Sequence, residues 1–412
     1  MVDDEESEQT YDLWKADENW SLETSELTQT MLEDIVGSGD FSSLSIDGTK
    51  RREQCRLDNI DFTPLASNKS LKGLGIHGMS GTIDLTPLVN VSYISVTWPW
   101  DEGEPPFVMF PESERLEDVQ LSGPVDHDRT TLAKLRRLRE LSYRDLCETD
   151  LSWLNESRSL KHFHIPFLSH YPPSVVLPSI RSLQKLWLNC DRRRMRSMKR
   201  IDLTPLASCR HLKDLRIGAH RIQVIDLTPL EDCHKIKVIQ LGGNSLKSID
   251  LSPLKSMNLE VLGLGGNRLE IIDLSPLKSM NLEVLGLGGN LLNQIDLVSV
   301  SSPSLKTLKL DRNKIRSIDL QPLSVCTNLE ELWLDGNLLE TLDLSPLSGL
   351  SHLKTVLIRK NSLNELDVTP LLSCPSLTEL DRGRLKLVGN IQMKDDFLSP
   401  YLLPMKDKIE WY

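Results

Sequence analysis

His162 and His164 stand two residues apart, so on a strand both would face the same side. Glu140 falls at the matching position of the strand before. Two imidazoles and a carboxylate could hold a metal ion, and the same three residues would also make an ordinary polar groove. The run Gly73-Leu74-Gly75-Ile76-His77-Gly78 matches G-x-G-x-x-G. It lies inside a strand pattern with no crossover helix after it, so no dinucleotide site is expected. No phosphate-binding P-loop, H-E-x-x-H, G-x-S-x-G or EF-hand pattern is present. The seven cysteines contain no C-x-x-C. Cys209, Cys233, Cys326 and Cys374 each follow a proline by four residues, in a slot that Met257, Met280 and Leu350 fill elsewhere. Cysteine there is expected to act as a small core hydrophobe without disulfides. The segment Asp191–Arg200 carries Arg192, Arg193, Arg194, Arg196, Lys199 and Arg200. Such a run is a solvated loop, or a dock for an acidic partner, for nucleic-acid phosphates or for an acidic segment of the same chain. Neither a catalytic group nor a cofactor is expected.

These residues are positioned by a repeat. IDLSPLKSMNLEVLGLGGN occurs at 249–267 and again at 272–290. Asn244, Asn267, Asn290, Asn313, Asn337 and Asn361 recur every 23 or 24 residues, as do the aspartates from Asp202 to Asp367. In Leu329–Leu334, Leu332 and Leu334 share the inward face of a strand, while Glu331, Trp333 and Asp335 point out. A Ser/Thr-Pro-Leu at 63, 86, 204, 228, 252, 275, 345 and 369 predicts a helical turn, with the hydroxyl residue as N-cap and proline at the first helical position. Gln321 varies the motif. Val298-Ser299-Val300 departs from it, which predicts a looser coil there.

The unit L-x-x-L-x-L-x-x-N-x-L resembles the leucine-rich-repeat family. The resemblance implies an α/β repeat solenoid, a horseshoe with a parallel concave β-sheet and short helical turns on the convex side. It also implies a ladder of turn asparagines and recognition of another protein through the concave face. A looser frame gives about fifteen coils, starting near 41, 71, 91, 116, 138, 160, 183, 212, 236, 259, 282, 305, 329, 353 and 377. The organisation expected is an acidic disordered tail (1–24), an N-terminal capping helix (25–40), irregular repeats (41–190), regular repeats (191–382) and a C-terminal cap (383–412). The Pro- and acid-rich stretch 97–114 reads as a loop.

The formal net charge is −11. Residues 1–40 hold thirteen acids and one lysine, a net −12, which leaves about +1 for the rest. Composition thus argues against wholesale nucleic-acid binding, although the tail could fold back on the 191–200 loop. There is no basic-then-apolar leader and no long apolar run. With scattered cysteines, this predicts a cytoplasmic protein without membrane insertion.

The outward positions carry the functional expectation. Val261 and Val284 border a glycine-rich floor, expected to be nearly bare, that is either functional or a by-product of duplication. Lys309, Asp311, Arg312, Glu331, Trp333, Asp335, Leu357 and Arg359 crowd one flank, and Trp187 repeats the Trp333 position on the other. Exposed Trp beside Arg is a hot-spot composition. The expectation is a non-enzymatic protein-binding scaffold. The alternatives are an anionic-polymer binder using 191–200, or an enzyme with a site in 97–190.

Overall fold

The computed structural model describes residues 11–16, 19–24, 27–48, 55–56, 60–98, 105–144, 150–167, 174–189, 198–278, 280–384, 386–389, 400–402 and 409–411. They fall into two compact units, 1–196 and 197–412.

In the first unit, strands Asn19–Thr24, Ser43–Asp47, Gly73–His77, Tyr93–Thr97, Asp118–Ser122, Glu140–Arg144, His162–Phe167 and Lys185–Asn189 pair in parallel, each with the next. Alternation fixes the faces: Leu44/Ile46, Leu74/Ile76, Val119/Leu121 and Leu186/Leu188 are buried, and the residues between them look outward. From Ser43 onward, strand starts are 20 to 30 residues apart here. They fall two residues after each predicted coil start.

The acidic tail is shorter than expected. Asn19–Thr24 is a strand of this sheet, and Tyr11–Ala16 pairs with it antiparallel. Trp20, Leu22 and Thr24 alternate inward and are buried, which outweighs the acidic residues between them. The predicted capping helix forms at Gln29–Gly37, with the Thr28 hydroxyl accepting from the Met31 N–H. It buries Met31, Leu32 and Ile35. Because a strand precedes it, this helix is the far side of a full coil. The antiparallel Tyr11–Ala16 strand, not the helix, closes the sheet edge. Within 97–114, Phe107–Met109 is a strand paired with Thr82–Asp84, and Phe110 is buried behind it. An apolar run outweighs the flanking prolines there.

The second unit stacks Asp214–Gly218, Val238–Gln240, Val261–Gly263, Val284–Gly286, Thr307–Lys309, Glu331–Trp333, Thr355–Leu357 and Glu379–Asp381 in parallel, with starts 23 or 24 residues apart. The asparagine ladder is present. Asn267 Nδ2 donates to the Leu241 and Leu264 carbonyls at 3.1 and 2.8 Å, and its Oδ1 accepts from the Leu246 N–H at 3.1 Å. Asn290, Asn313 and Asn337 repeat the pattern one coil at a time. Each amide thus satisfies buried backbone groups of its neighbours.

The convex turns are 3-10 rather than α, and their N-cap is not the Ser/Thr. Those residues make no side-chain cap. Instead the aspartate two residues earlier accepts the turn's N–H, as in Asp226 to Thr228, Asp250 to Ser252 and Asp343 to Ser345, at 2.8–2.9 Å. The Ser/Thr hydroxyl adds a bond to the same aspartate, as from Ser275 Oγ to Asp273 Oδ2 at 2.9 Å, but the turn forms without it. Gln321 keeps its turn through Asp319, and Val298 through Asp296. The coil at Val298–Val300 is therefore not looser, and Val300 is buried. Cys209, Cys233, Cys326 and Cys374 are free and buried. The Cys233 and Cys374 thiols donate to the Leu206 and Leu347 carbonyls of the preceding coil, at 3.5 and 3.3 Å. Past the last repeat strand, Lys386–Gly389 pairs in parallel with Glu365–Asp367 on one side and Ile409–Trp411 on the other. Leu387, Leu402 and Ile409 are buried there.

Candidate functional site

Trp333 faces outward at the end of a three-residue strand, because Leu332 and Leu334 occupy the core. Its register partners are Lys309 and Leu357. The Lys309 ammonium lies 3.6 Å from the indole centroid and 3.6 Å from Glu331 Oε2. That cation–π contact ties the ring to the neighbouring strand's lysine. Trp333 is therefore half-buried rather than fully exposed, and its indole Nε1, which can only donate, is buried with no acceptor. Arg359 pairs with Asp381 at 3.1 Å, and Arg312 reaches Asp311 at 3.8 Å. Burial first, and then Asp335, push the Asp311 carboxyl above the usual carboxylate range. The structure thus gathers Lys309, Glu331, Trp333 and Leu357 in one cluster, with Asp311, Arg312, Asp335 and Arg359 along the turn beside it.

The glycine floor is not uniformly bare. A Cβ at Gly263 would lie 1.8 Å from Gln240 Oε1, and one at Gly288 would lie 2.1 Å from Asp311 Oδ1. At Gly242 and Gly265 a Cβ would meet the next coil's carbonyl oxygen at 3.0 Å. These glycines make room for neighbouring side chains and backbone. Gly286 differs, since nothing approaches its Cβ position closer than 3.8 Å. It lies between Gly263 and Lys309, with Val261 and Val284 pairing in the adjacent outward row. The open floor therefore narrows to the neighbourhood of Gly286.

Trp187 belongs to the first unit and is built differently. Its ring stacks on His164 at 4.4 Å and 9°, with Lys185 at 5.8 Å. His162 and His164 lie parallel at 6.1 Å, their Nδ1 atoms 3.5 and 3.6 Å from the two oxygens of Glu140. The imidazoles stand side by side on one carboxylate. No group of three or more metal-ligating side chains occurs among the described residues. Asp118, the register partner of Glu140, was missed in the sequence. Burial and then Glu140 raise its carboxyl to about 6. Only its position in the outward row could have flagged it. Of the basic run, Lys199 and Arg200 are exposed; Arg192, Arg193, Arg194 and Arg196 lie outside the described residues, as do residues 1–10 of the tail.

A family model for leucine-rich repeats (two copies) matches residues 303–349. Both units are leucine-rich-repeat solenoids. Among solved structures, the chain is similar to a Leptospira interrogans LRR protein at 20% identity and a TM-score of 0.60, covering 86% of this chain and 81% of that one. An internalin from Listeria monocytogenes matches at 20% identity and 0.52, covering 87% and 90%. The glycosylated Toll–Spatzle complex from Drosophila matches at 14% identity and 0.63, over 94% of this chain and 58% of that one. No curated protein sequence matches the chain. No helix among the described residues is long and apolar enough to cross a membrane.

Proposed function

We propose that this leucine-rich-repeat chain is a non-enzymatic scaffold that binds a protein partner through the strand face of its second unit, with Trp333 as the anchor. The carrying observation is the indole clamped by Lys309 with a buried, unpartnered N–H. That N–H is shielded in the free chain, so a partner carbonyl pairs with it only once the indole turns outward on binding. Aromatic anchors ringed by charges of both signs are the usual build of a binding hot spot. Beside the anchor, the open floor at Gly286 lets a partner backbone approach the sheet, with Val261 and Val284 as apolar contacts. The similar folds include one solved in a complex, Toll–Spatzle, which supports the reading by analogy. A cytoplasmic site of action belongs to it, supported by the buried free thiols.

Affinity capture from native lysate, run in parallel on wild type, Trp333→Ala and Gly286→Arg, tests this. Trp333→Ala leaves the fold intact, because the ring is outside the core, and weakens binding by about 2 kcal/mol or more. Gly286→Arg adds a side chain into open space and blocks access. Gly263→Arg would be a poorer test, since it displaces Gln240. A partner retained equally by both variants would show that binding does not use this face.

A further inference from the structure

We infer that the first unit carries a binding site for a small, multiply charged phosphate-class anion, on the segments that lead from its convex turns back to its strands. The inference rests first on a column of arginines. Arg136, Arg158 and Arg181 each lie four residues before a strand start, at Glu140, His162 and Lys185. They therefore occupy one repeat position in three successive coils, whose strands stack about 4.8 Å apart. Lys134 adds a fourth cation. All four are exposed and line one concavity of about 840 Å³. The only acid in its lining is Glu156.

Like charges in register destabilise neighbouring coils, and in the second unit several cations ahead of the strands are offset by carboxylates. In the second unit, Arg210 at the same repeat position reaches Asp232 at 3.5 Å. Just before the strands, Lys306 pairs with Glu283 at 2.8 Å and Lys354 with Glu330 at 2.6 Å. In the arginine column, by contrast, only Arg136 has a carboxylate, Glu114, at 3.8 Å and with both groups exposed. Lys134, Arg158 and Arg181 form no ion pair among the described residues.

A second observation points to the same ligand. Ser157 lines the concavity at 4% exposure, and its hydroxyl has no hydrogen-bond partner. A buried hydroxyl without a partner is a donor waiting for an acceptor. The floor around it is fixed. Ser159 Oγ donates to the Leu135 carbonyl at 2.8 Å, Ser182 Oγ to the Leu160 carbonyl at 2.7 Å, and the Ser179 N–H to Asn155 Oδ1 at 2.6 Å. Guanidinium groups bind phosphate oxygens through paired N–H donors. A row of three, backed by a hydroxyl and a lysine, suits several phosphate groups in sequence better than a single carboxylate. The volume lies within the usual range for small-molecule sites.

Titration calorimetry of the full chain with tripolyphosphate at low ionic strength tests the site. The wild type binds, and the affinity falls steeply with added salt. Arg158→Ala and Arg181→Ala each weaken binding by about tenfold or more, Ser157→Ala weakens it several-fold, and Arg210→Ala in the second unit leaves it unchanged. All these positions except Ser157 are exposed, so the arginine variants keep the fold. Inorganic phosphate should bind far more weakly than tripolyphosphate. Three results would overturn the proposal: no binding at low salt, equal binding by both arginine variants, or a single-stranded oligonucleotide that binds these arginines more tightly than tripolyphosphate.

Discussion

Arg312 and Lys360 hold φ at +52° and +57°, at the turn position that Gly243, Gly266, Gly289 and Gly336 fill in sister coils. A residue with a Cβ is strained there, by roughly 1 kcal/mol or more. Ala219, at +61°, is a third exception at this repeat position, and the two charged ones flank the Trp333 cluster, where a charged side chain has a use. Arg312→Gly should therefore raise stability by about 1 kcal/mol in urea melts and weaken partner capture; an unchanged or lower midpoint would remove the strain argument. In the first unit, two titratable groups work against each other. Burial holds His127 down to about 4, with Tyr143 Oη 2.5 Å from its Nε2. Arg129 lowers it further, while Asp126 and Asp128 oppose the shift. Its folded pKa lies below the unfolded value of about 6.5, so the unfolded chain binds more protons between the two. Stability is complete above about pH 6.5 and falls by about 3 kcal/mol as pH drops through 4. Asp118, raised to about 6, has the opposite sign: it favours the folded state on acidification and costs stability at neutral pH. It is only half-buried, so solvent screening discounts it and His127 dominates. Melting curves between pH 4 and 6.5 should show stability falling on acidification in the wild type. His127→Phe should flatten or invert that slope.

Most of the architecture was legible at the scale of elements, because period-2 alternation and a fixed interval leave little freedom. The coil starts read from Leu-x-Leu pairs met strands even where the turn asparagine is replaced by Met79 or Pro124. Two misreadings have one origin, the weighing of a local signal without its neighbours. Ser/Thr before proline suggested an N-cap, yet the aspartate two residues earlier had the shorter reach to the turn's N–H. Acidic residues at 17–24 suggested disorder, yet Trp20 and Leu22 alternate onto a sheet edge that already exists. At the candidate site, Trp333 and its partners Lys309 and Leu357 followed from register alone. The lysine's place over the ring, the side chains lying across Gly263 and Gly288, and the Asp118 carboxyl depend on rotamers and burial, which no spacing encodes. The capping assignment is testable. The hydrogen bonds from Ser252 hold the Asp250 carboxyl below the usual range. This contribution is present above the unfolded pKa near 3.8 and lost as pH falls through the folded value. Asp250→Ala should lower the melting temperature clearly more than Ser252→Ala at pH 7, and the gap should close in acid. Equal shifts for the two variants would return the cap to the serine.

Across the whole molecule, each coil touches little beyond the coils beside it, so stability is a sum of local terms and neighbour contacts. The asparagine ladder is the clearest such contact. Asn290 is buried, donates to the Leu264 and Leu287 carbonyls, and accepts from the Leu269 N–H. Asn290→Ala strands all three backbone groups and leaves a small void. At roughly 1–3 kcal/mol for each buried group left unpaired, partly recovered by relaxation, the expected loss is about 3 kcal/mol. In a globular core that loss would be shared by every residue, because unfolding is all-or-none. In a linear array it should stay where it arises. Hydrogen exchange should accelerate over about 264–292, fade through the flanking coils, and leave the first unit at wild-type protection. The Asp343 turn, two coils further along, should change little. Uniform acceleration across both units would mean that the chain unfolds as a single cooperative block, and the picture of independent neighbouring layers would then be wrong.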